Sequence, residues 1–451
     1  FFVESTKVNF LSGSLSKNIF LFSVPLMFSN ILQILFNTVD IAVIGHFAGS
    51  LALGAVGSTP MLLFLYTGML LGISLGVNAI IAYYIGAKNS KEILDSVHSA
   101  FIVCLSFGIA LMLLGIFSAR PVLTLMNTKP ELIDHAVLYF QIYMLGLPGI
   151  SLYNFGSGIL NATGDTKRPL FFLLIAGTVN IVLDLFFVAV LHFDCAGVAF
   201  ASAVAQIVSA VLILIPLFNG TNGIKISLAK LKPNKQKIIQ ILKIGFPAGL
   251  QNAIFAIANV FIQTGINSFD AITVAGISAA GNADPFSYNL MAAFYSAGST
   301  FIGQNFGAQN KKRILKSYFL SMLFAFCVAI IMGSLIWTFR IRFLSVFTKD
   351  ELVINPAIKR LKIMCLSYSI SAFMDATTAA SRGLGHTFVP SIFVILGSCV
   401  FRIIWIYTAF AHFKTIESLF AIYPFSWAIT AIFEIIYFVI AYKKETAGFK
   451  K

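Results

Sequence analysis

Asp40 is the one charged residue between positions 18 and 45. Asn30, Gln33, Asn37 and Asp40 recur at spacings of 3, 4 and 3, which a helix presents on a single face. A second carboxylate, Asp184, stands one helical turn after Asn180 in the apolar run 168–192, and Ser202, Gln206 and Ser209 form a similar stripe in the run 196–218. Two carboxylates, an amide and a hydroxyl are hard oxygen donors. Asp40, Asn180, Asp184 and Ser202 together suit a Na⁺ ion or a shared proton, and Asp40, Asn180 and Asp184 are the expected ligands if the ion is Na⁺. Two carboxylates side by side in a dry site cannot both ionise cheaply, so a proton or cation relieves their repulsion. The ordinary alternative, interhelical hydrogen bonding, suffices for Asn30 or Gln206 alone. It does not explain two acids, which are costly inside a membrane.

Away from the ends of the runs, four more charged residues stand out. Asp284 precedes Pro285, Asp375 shares a face with Ser367, Ser371 and Thr378, and Arg402 stands mid-run; Glu434 shares a face with Tyr423, Ser426 and Thr430. Arg402 is expected to neutralise Glu434 or Asp375, which leaves Asp284 and Asp375 for a cationic ligand or a second proton. Gln33, Phe36, Asn37, Asn154, Asp284, Met291 and Asp375 are the expected lining of a substrate cleft. Aromatic rings such as Phe36, Phe155, Phe255, Phe286 and Tyr288 offer cation–π surfaces there.

These residues have to be positioned by membrane helices. Of 451 residues, 58% are hydrophobic and 11% charged, against about 25% charged in soluble domains. Mean hydropathy is +0.90. That composition excludes a soluble enzyme, a disordered chain and a disulfide scaffold. A spanning helix needs about 20 mostly apolar residues. Twelve such runs occur: 18–45, 51–82, 93–117, 133–160, 168–192, 196–218, 238–266, 272–302, 314–338, 357–381, 388–411 and 418–442. The fold class is therefore an all-α polytopic membrane protein with 12 transmembrane helices. No cleavable signal peptide is expected, because the start up to Lys17 is mostly polar. The five cysteines have no metal-motif spacing and read as small hydrophobes.

The net charge is +14. Its basic residues cluster between the runs, as in cytoplasmic membrane loops, so no nucleic-acid partner is expected. With the N-terminus inside, 21 of the 31 Lys and Arg residues fall in inner segments and 9 in outer ones, with Arg402 inside a span. Both termini are thus expected in the cytoplasm, with the loop 339–362 as a local exception.

The chain also echoes itself at an offset of 221 to 222 residues. Ile85-Gly86-Ala87-Lys88-Asn89 returns as Phe306-Gly307-Ala308-Gln309-Asn310, and Gly164-Asp165-Thr166 with Pro169 returns as Gly385-His386-Thr387 with Pro390. Pro25, Asn30, Asn37 and Gly54 return as Pro247, Asn252, Asn259 and Gly276. Six spans per half give both halves the same orientation, a parallel repeat of two pseudo-symmetric six-helix lobes. The expected division is 1–218 for the first lobe, 219–237 for a cytoplasmic linker and 238–451 for the second lobe. Asp40 and Asp184 map onto Ile262 and Trp405, so the acid pair belongs to the first lobe alone. Two lobes about a cleft are the usual basis of alternating access. No G-x-x-x-x-G-K-[ST] phosphate loop occurs, so uphill transport would draw on an ion gradient. Pro25 is expected to weaken the helix ladder below Asp40 and ease bending.

The ordered set of motifs resembles the multidrug and toxic compound extrusion (MATE) transporters, prokaryotic branch. It comprises Pro25 with Val39-Asp40-x-x-x-Ile44-Gly45, Gly86-Ala87-Lys88-Asn89, Asn161-Ala162-Thr163-Gly164-Asp165-Thr166 with Pro169, and Asn180-x-x-x-Asp184; the second half adds Gly303-Gln304-Asn305-x-Gly307-Ala308 and Arg382-Gly383-x-Gly385-x-Thr387 with Pro390. The resemblance covers the whole chain. It implies a V-shaped exporter that expels organic cations and amphipathic drugs in exchange for Na⁺ or H⁺. It implies a first-lobe cation site at Asp40, Asn180, Asp184 and Ser202, where the family more often has Thr in the last position. The span-7 Glu of other branches has no counterpart here. No cofactor beyond the coupling ion, a monomer in the plasma membrane and no enzymatic activity complete the expectation. The alternatives are a lipid-linked oligosaccharide flippase of the same superfamily, whose cleft would be cationic, and a membrane-embedded enzyme or channel. The acids argue against the first. No D-D-x-x-D, H-E-x-x-H or filter-like segment supports the others.

Overall fold

The repeated motifs are corners between helices. In a computed structural model, which describes residues 8–220 and 223–449 apart from the Lys230 side chain, Lys88 and Gln309 both adopt left-handed backbone (φ 54° and 57°). The next residue, Asn89 or Asn310, then caps a helix by accepting from the Glu92 or Arg313 amide. Gly164 and Gly385 are left-handed too (φ 88° and 84°). Two short sequence patterns thus stop one helix and start the next in each half. Lys7, Thr221, Asn222, Lys450 and Lys451, which belong to the loop and linker readings, lie outside the described residues.

In chain order the helices are α1 (Leu15–Val43), α2 (Gly49–Gly57), α3 (Pro60–Gly86), α4 (Ser90–Leu125), α5 (Pro130–Met144), α6 (Leu147–Ala162), α7 (Lys167–Asp184), α8 (Asp194–Asn219), α9 (Lys235–Ile266), α10 (Ala271–Gly281), α11 (Ala283–Gly307), α12 (Lys311–Thr338), α13 (Arg340–Ser345), α14 (Glu351–Gly383), α15 (Phe388–Val394), α16 (Phe401–Trp405), α17 (Ala411–Phe413), α18 (Ile416–Phe420) and α19 (Ile422–Glu445). Each of the twelve apolar runs lies on one of these helices or on consecutive ones. Among the described residues, nine helical segments are long and apolar enough to cross a membrane, and ten if α5 and α6, bent by 42° at their junction, count as one. The remaining two runs fall on α10–α11 and α14, whose rows of Ser, Thr, Asn and Gln dilute their hydropathy. The run expected to start at 51 starts instead at Pro60, because α1, a π-helical turn (Ile44–Ala48) and α2 continue to Gly57. α1 passes through Pro25 without interruption.

The helices group into two compact units. The first contains Phe28–Ala253, the second Phe10–Met27 with the chain from Ile254 onward. α1 and α9 therefore change unit partway along. In the first unit, the early turns of α9 lie against α3, where Gly72 and Gly76 admit the backbone of Gly245 and Gly249; an added Cβ at Gly76 would lie 2.7 Å from the Ile241 carbonyl oxygen. Small residues allow this close approach. The inter-repeat segment docks on the same unit: Ile224 and Ile226 are buried, the Ser227 amide donates to His98 (3.3 Å), and the Asn234 amide donates to Ser99 (3.1 Å). In the second unit, Phe10 is buried against Phe22 and Phe301 (centroids 5.5 and 4.6 Å).

Candidate functional site

The first unit brings together all four predicted coupling residues. Asp40 sits near the end of α1, Asn180 and Asp184 close α7, and Ser202 lies on α8. Ser202 Oγ donates to Asp40 Oδ2 (3.4 Å), and Asn180 Nδ2 donates to Asp184 Oδ2 (3.4 Å). The two carboxyl groups face each other closely enough to interact directly. Asp184 is 0% exposed, and Asn180 and Ser202 are each 6% exposed. One oxygen of each acid, Asp40 Oδ1 and Asp184 Oδ1, is buried with no hydrogen-bond partner among the described residues other than the facing carboxyl group. Asp40 itself is half-buried, and two such carboxylate oxygens facing each other are what a bound cation or proton would complete.

Local backbone explains the placement. A π-helical turn, Leu185–Val190, begins directly after Asp184, and the π turn Ile44–Ala48 begins four residues after Asp40. Such turns hold one extra residue and occur often at functional sites. The two pack against each other and against α8. Val43, Ile44, Val56, Tyr139, Val188 and Val198 form a buried apolar cluster around them, which keeps water from that end of the pair. On the other flank Phe36 lies over Gly177, where any Cβ would strike its ring.

Two residues of the site escaped the sequence reading. Tyr139 and Tyr143, one turn apart on α5 with rings 6.2 Å apart, are close enough to the acids to interact electrostatically. Their four-residue spacing was the available signal, but aromatic pairs of that kind are commonplace in membrane helices. Gln206 packs into the space left by Gly146, at the bend between α5 and α6.

The expected cleft residues scatter more widely. In the first unit Gln33 and Asn37 are exposed, and Phe36 and Asn154 are half-buried; the Asn154 carbonyl accepts from Ser74 (2.6 Å). In the second unit Met291 is fully buried. Asp284 is held by Arg360 Nη2 and the Tyr368 hydroxyl, each at 2.5 Å. Asp375 is half-buried, with Arg382 and Arg402 as its charged neighbours.

Arg402 neighbours Asp375 as expected, but without direct contact. It forms no ion pair with Glu434 or Asp375 among the described residues. Its buried guanidinium instead faces Tyr423, Phe255 and Trp427 (4.6, 5.4 and 5.8 Å to the ring centroids), and its Nε donates to Ser426 (3.4 Å). Glu434 is 0% exposed and lies beside the Thr378 hydroxyl, with no ion pair among the described residues.

The structure also revises the charge census. Arg360 and Arg382 read as loop cations, yet they are 7% and 9% exposed within α14. The acids Asp284, Asp375 and Glu434 of the second unit are thereby matched by Arg360, Arg382 and Arg402. Among the described residues the Asp40–Asp184 pair of the first unit has no such match: its charged neighbours are each other. Removing Arg360 from the outer count also weakens the local exception at 339–362.

Comparison with known proteins follows the same lines. The model of the MatE family matches two stretches, residues 25–186 and 247–408, displaced by the 222 residues of the internal repeat. Probable multidrug resistance protein YpnP of Bacillus subtilis is 29% identical over 308 residues, which is 68% of each chain. Probable multidrug resistance protein NorM of Thermotoga maritima is 26% identical over 394 residues, covering 84% of this chain and 82% of its own. Among solved structures, an outward-facing multidrug resistance MATE family transporter of the MOP superfamily superposes with a TM-score of 0.90 at 22% identity, over 98% of this chain and 99% of that one. A MOP superfamily transporter from Pyrococcus furiosus gives 0.91 at 22% identity, with the same coverage.

Proposed function

From the premise that this chain belongs to the MatE family and is a multi-pass membrane protein, we propose that it is a secondary exporter that expels organic cations and amphipathic drugs in exchange for Na⁺ or H⁺. The observation that carries the coupling reading is the uncompensated acid pair. Fully buried Asp184 meets half-buried Asp40 in the first unit, with no base beside them among the described residues. Asn180 and Ser202 complete a set of oxygen donors around them. An entering ion removes the repulsion between the acids, and the ends of α1 and α7, each joined to a π turn, are the elements free to respond. A drug that competes for the first unit leaves as the ion enters. The same net negative charge disfavours a pyrophosphate-bearing lipid as cargo.

Proteoliposomes loaded with a fluorescent cationic dye and given either a Na⁺ or a pH gradient test this directly. Dye efflux is expected with one of the two gradients and not without a gradient. Efflux that ignores both gradients would reject secondary antiport.

The exporter reading places both termini and the inter-repeat segment in the cytoplasm, in the plasma membrane. Lys232 is exposed there. Lys232→Cys is expected to react in whole cells with a permeant maleimide and to resist an impermeant one. Cys327 is exposed, so the test is done in a Cys327→Ser background. Labelling by the impermeant reagent from outside would reverse the topology.

A further inference from the structure

The two halves of the repeat treat one corner in opposite ways. In the first unit, Glu92 in the first turn of α4 forms an ion pair with Lys237 in the first turn of α9. Lys237 is buried, with its ammonium over the Tyr84 ring at 4.0 Å. At offsets of 221 and 222 residues, Glu92 corresponds to Arg313, Asp95 to Lys316 and Lys237 to Leu15. The corner of the second unit, where α12 begins beside α1, has therefore exchanged its acids for bases and has lost the internal partner.

What stands there is a cavity of about 280 Å³ whose lining includes Gly13, Ser14, Leu15, Lys312, Arg313 and Lys316. Among the described residues, no acid lines it. Lys312 and Lys316 are exposed and one turn apart, and neither enters an ion pair among the described residues. Like charges at that spacing repel unless an anion lies between them. The walls are held in place. Arg313 donates to the carbonyls of Gly13 (3.1 Å), Phe10 (3.1 Å) and Ser12 (3.3 Å), and Asn305 donates to that of Phe10 (3.2 Å). The first turn of α1 contains no acid, so its amide end adds positive potential on the same side.

The apolar surroundings say what kind of anion fits. Leu320 lines the cavity on the α12 side. One turn further, Phe324 meets Phe20 of α1 with ring centroids 6.3 Å apart. Phe20 and Leu323 are 51% and 50% exposed. A cationic cavity thus opens onto an apolar strip running along α1 and α12, which matches a phosphate head followed by acyl chains.

We propose that this corner binds the phosphate of an anionic phospholipid, Lys312 and Lys316 supplying the charge that Glu92 and Lys237 satisfy internally in the first half. The site requires only that the chain is a membrane protein. Its assignment to the inner leaflet rests on the orientation proposed above. Because the readout is binding, its failure is distinct from failure of the transport reading.

The test uses the purified full chain and measures binding of phosphatidylglycerol and phosphatidylethanolamine by native mass spectrometry, with inorganic phosphate as competitor. Each basic residue at an anionic headgroup contributes about fivefold in affinity, so Lys312→Gln/Lys316→Gln is expected to weaken phosphatidylglycerol binding by about 25-fold. Lys316→Arg is expected to retain it, which separates charge from folding. The control Lys88→Gln/Lys91→Gln, equally exposed and in the first unit, is expected to leave it unchanged. Equal phosphatidylglycerol binding by the wild type and the Lys312→Gln/Lys316→Gln variant would overturn the site. Equal preference for the two lipids, with inorganic phosphate binding the corner as well as phosphatidylglycerol does, would overturn the lipid as its occupant.

Discussion

Gradient-driven dye efflux is expected to fall to background in both Asp40→Asn and Asp184→Asn, with the protein still inserted and folded. Asparagine keeps the shape of each side chain and removes the charge. On the proposed coupling, the pair holds one proton or cation between two carboxyl groups, at the oxygens Asp40 Oδ1 and Asp184 Oδ1. With one acid neutralised, the repulsion that the ion relieves is gone, so the ion has nothing to couple. Thermal stability supplies an independent readout. An ion that binds only the folded protein stabilises it by about 2.7 kcal/mol at one hundred times its dissociation constant. That ion-dependent increment is expected in the wild type and is expected to vanish in both variants. Near wild-type pumping by both would remove coupling from the first unit. Glu434 would then be the next candidate, because it is fully buried and forms no ion pair among the described residues, whereas Asp284 is already held by Arg360.

Arg360→Met is expected to cost about 3–5 kcal/mol of stability, the usual loss when one partner of a buried ion pair is removed. Arg360 and Asp284 side chains are 9% and 23% exposed. Arg360 also donates to the Ile277 carbonyl (2.5 Å) and lies over the Phe420 ring at 4.9 Å. Removing it leaves Asp284 without its cation and strands that carbonyl. The double variant Asp284→Leu/Arg360→Met is expected to recover most of the loss, because an apolar pair carries no stranded charge. Thermal unfolding of the three purified proteins checks this. Unchanged stability in Arg360→Met, with selective loss of cationic dye transport, would make the pair part of the substrate surface instead.

The coupling set was legible in the sequence because ionisable residues are so rare in these runs. An acid among apolar residues has few physical excuses, and the helical spacing of Asn30, Gln33, Asn37 and Asp40, or of Asn180 and Asp184, places each acid on a defined face. The second half was harder to read for the same reason in reverse. Arg360 and Arg382 lie near the ends of their apolar run, where a cation ordinarily belongs to a loop, and only the packing of α14 shows that both are buried. Arg402 looked like a partner for Glu434 because opposite charges on neighbouring spans usually meet. The rings of Phe255, Tyr423 and Trp427 took its guanidinium instead, and no one-dimensional pattern indicates which ring faces inward.

Composition and periodicity by themselves determined that this is an all-helical membrane protein with an internal repeat and an unshared pair of acids in its first half. Those properties follow from the cost of exposing backbone and charge to lipid, which every residue of a span must respect locally. Tertiary structure alone decided where the charges end up relative to one another. It joined Asp40 to Asp184 across 144 positions of chain, placed Tyr139 and Tyr143 beside them, and moved the first turns of α1 and α9 into different units. It also gathered the bases that the second repeat carries at the matching corner around one cavity, where the first repeat forms an ion pair. Electrostatic energy depends on distance and burial, and neither is a property of sequence order.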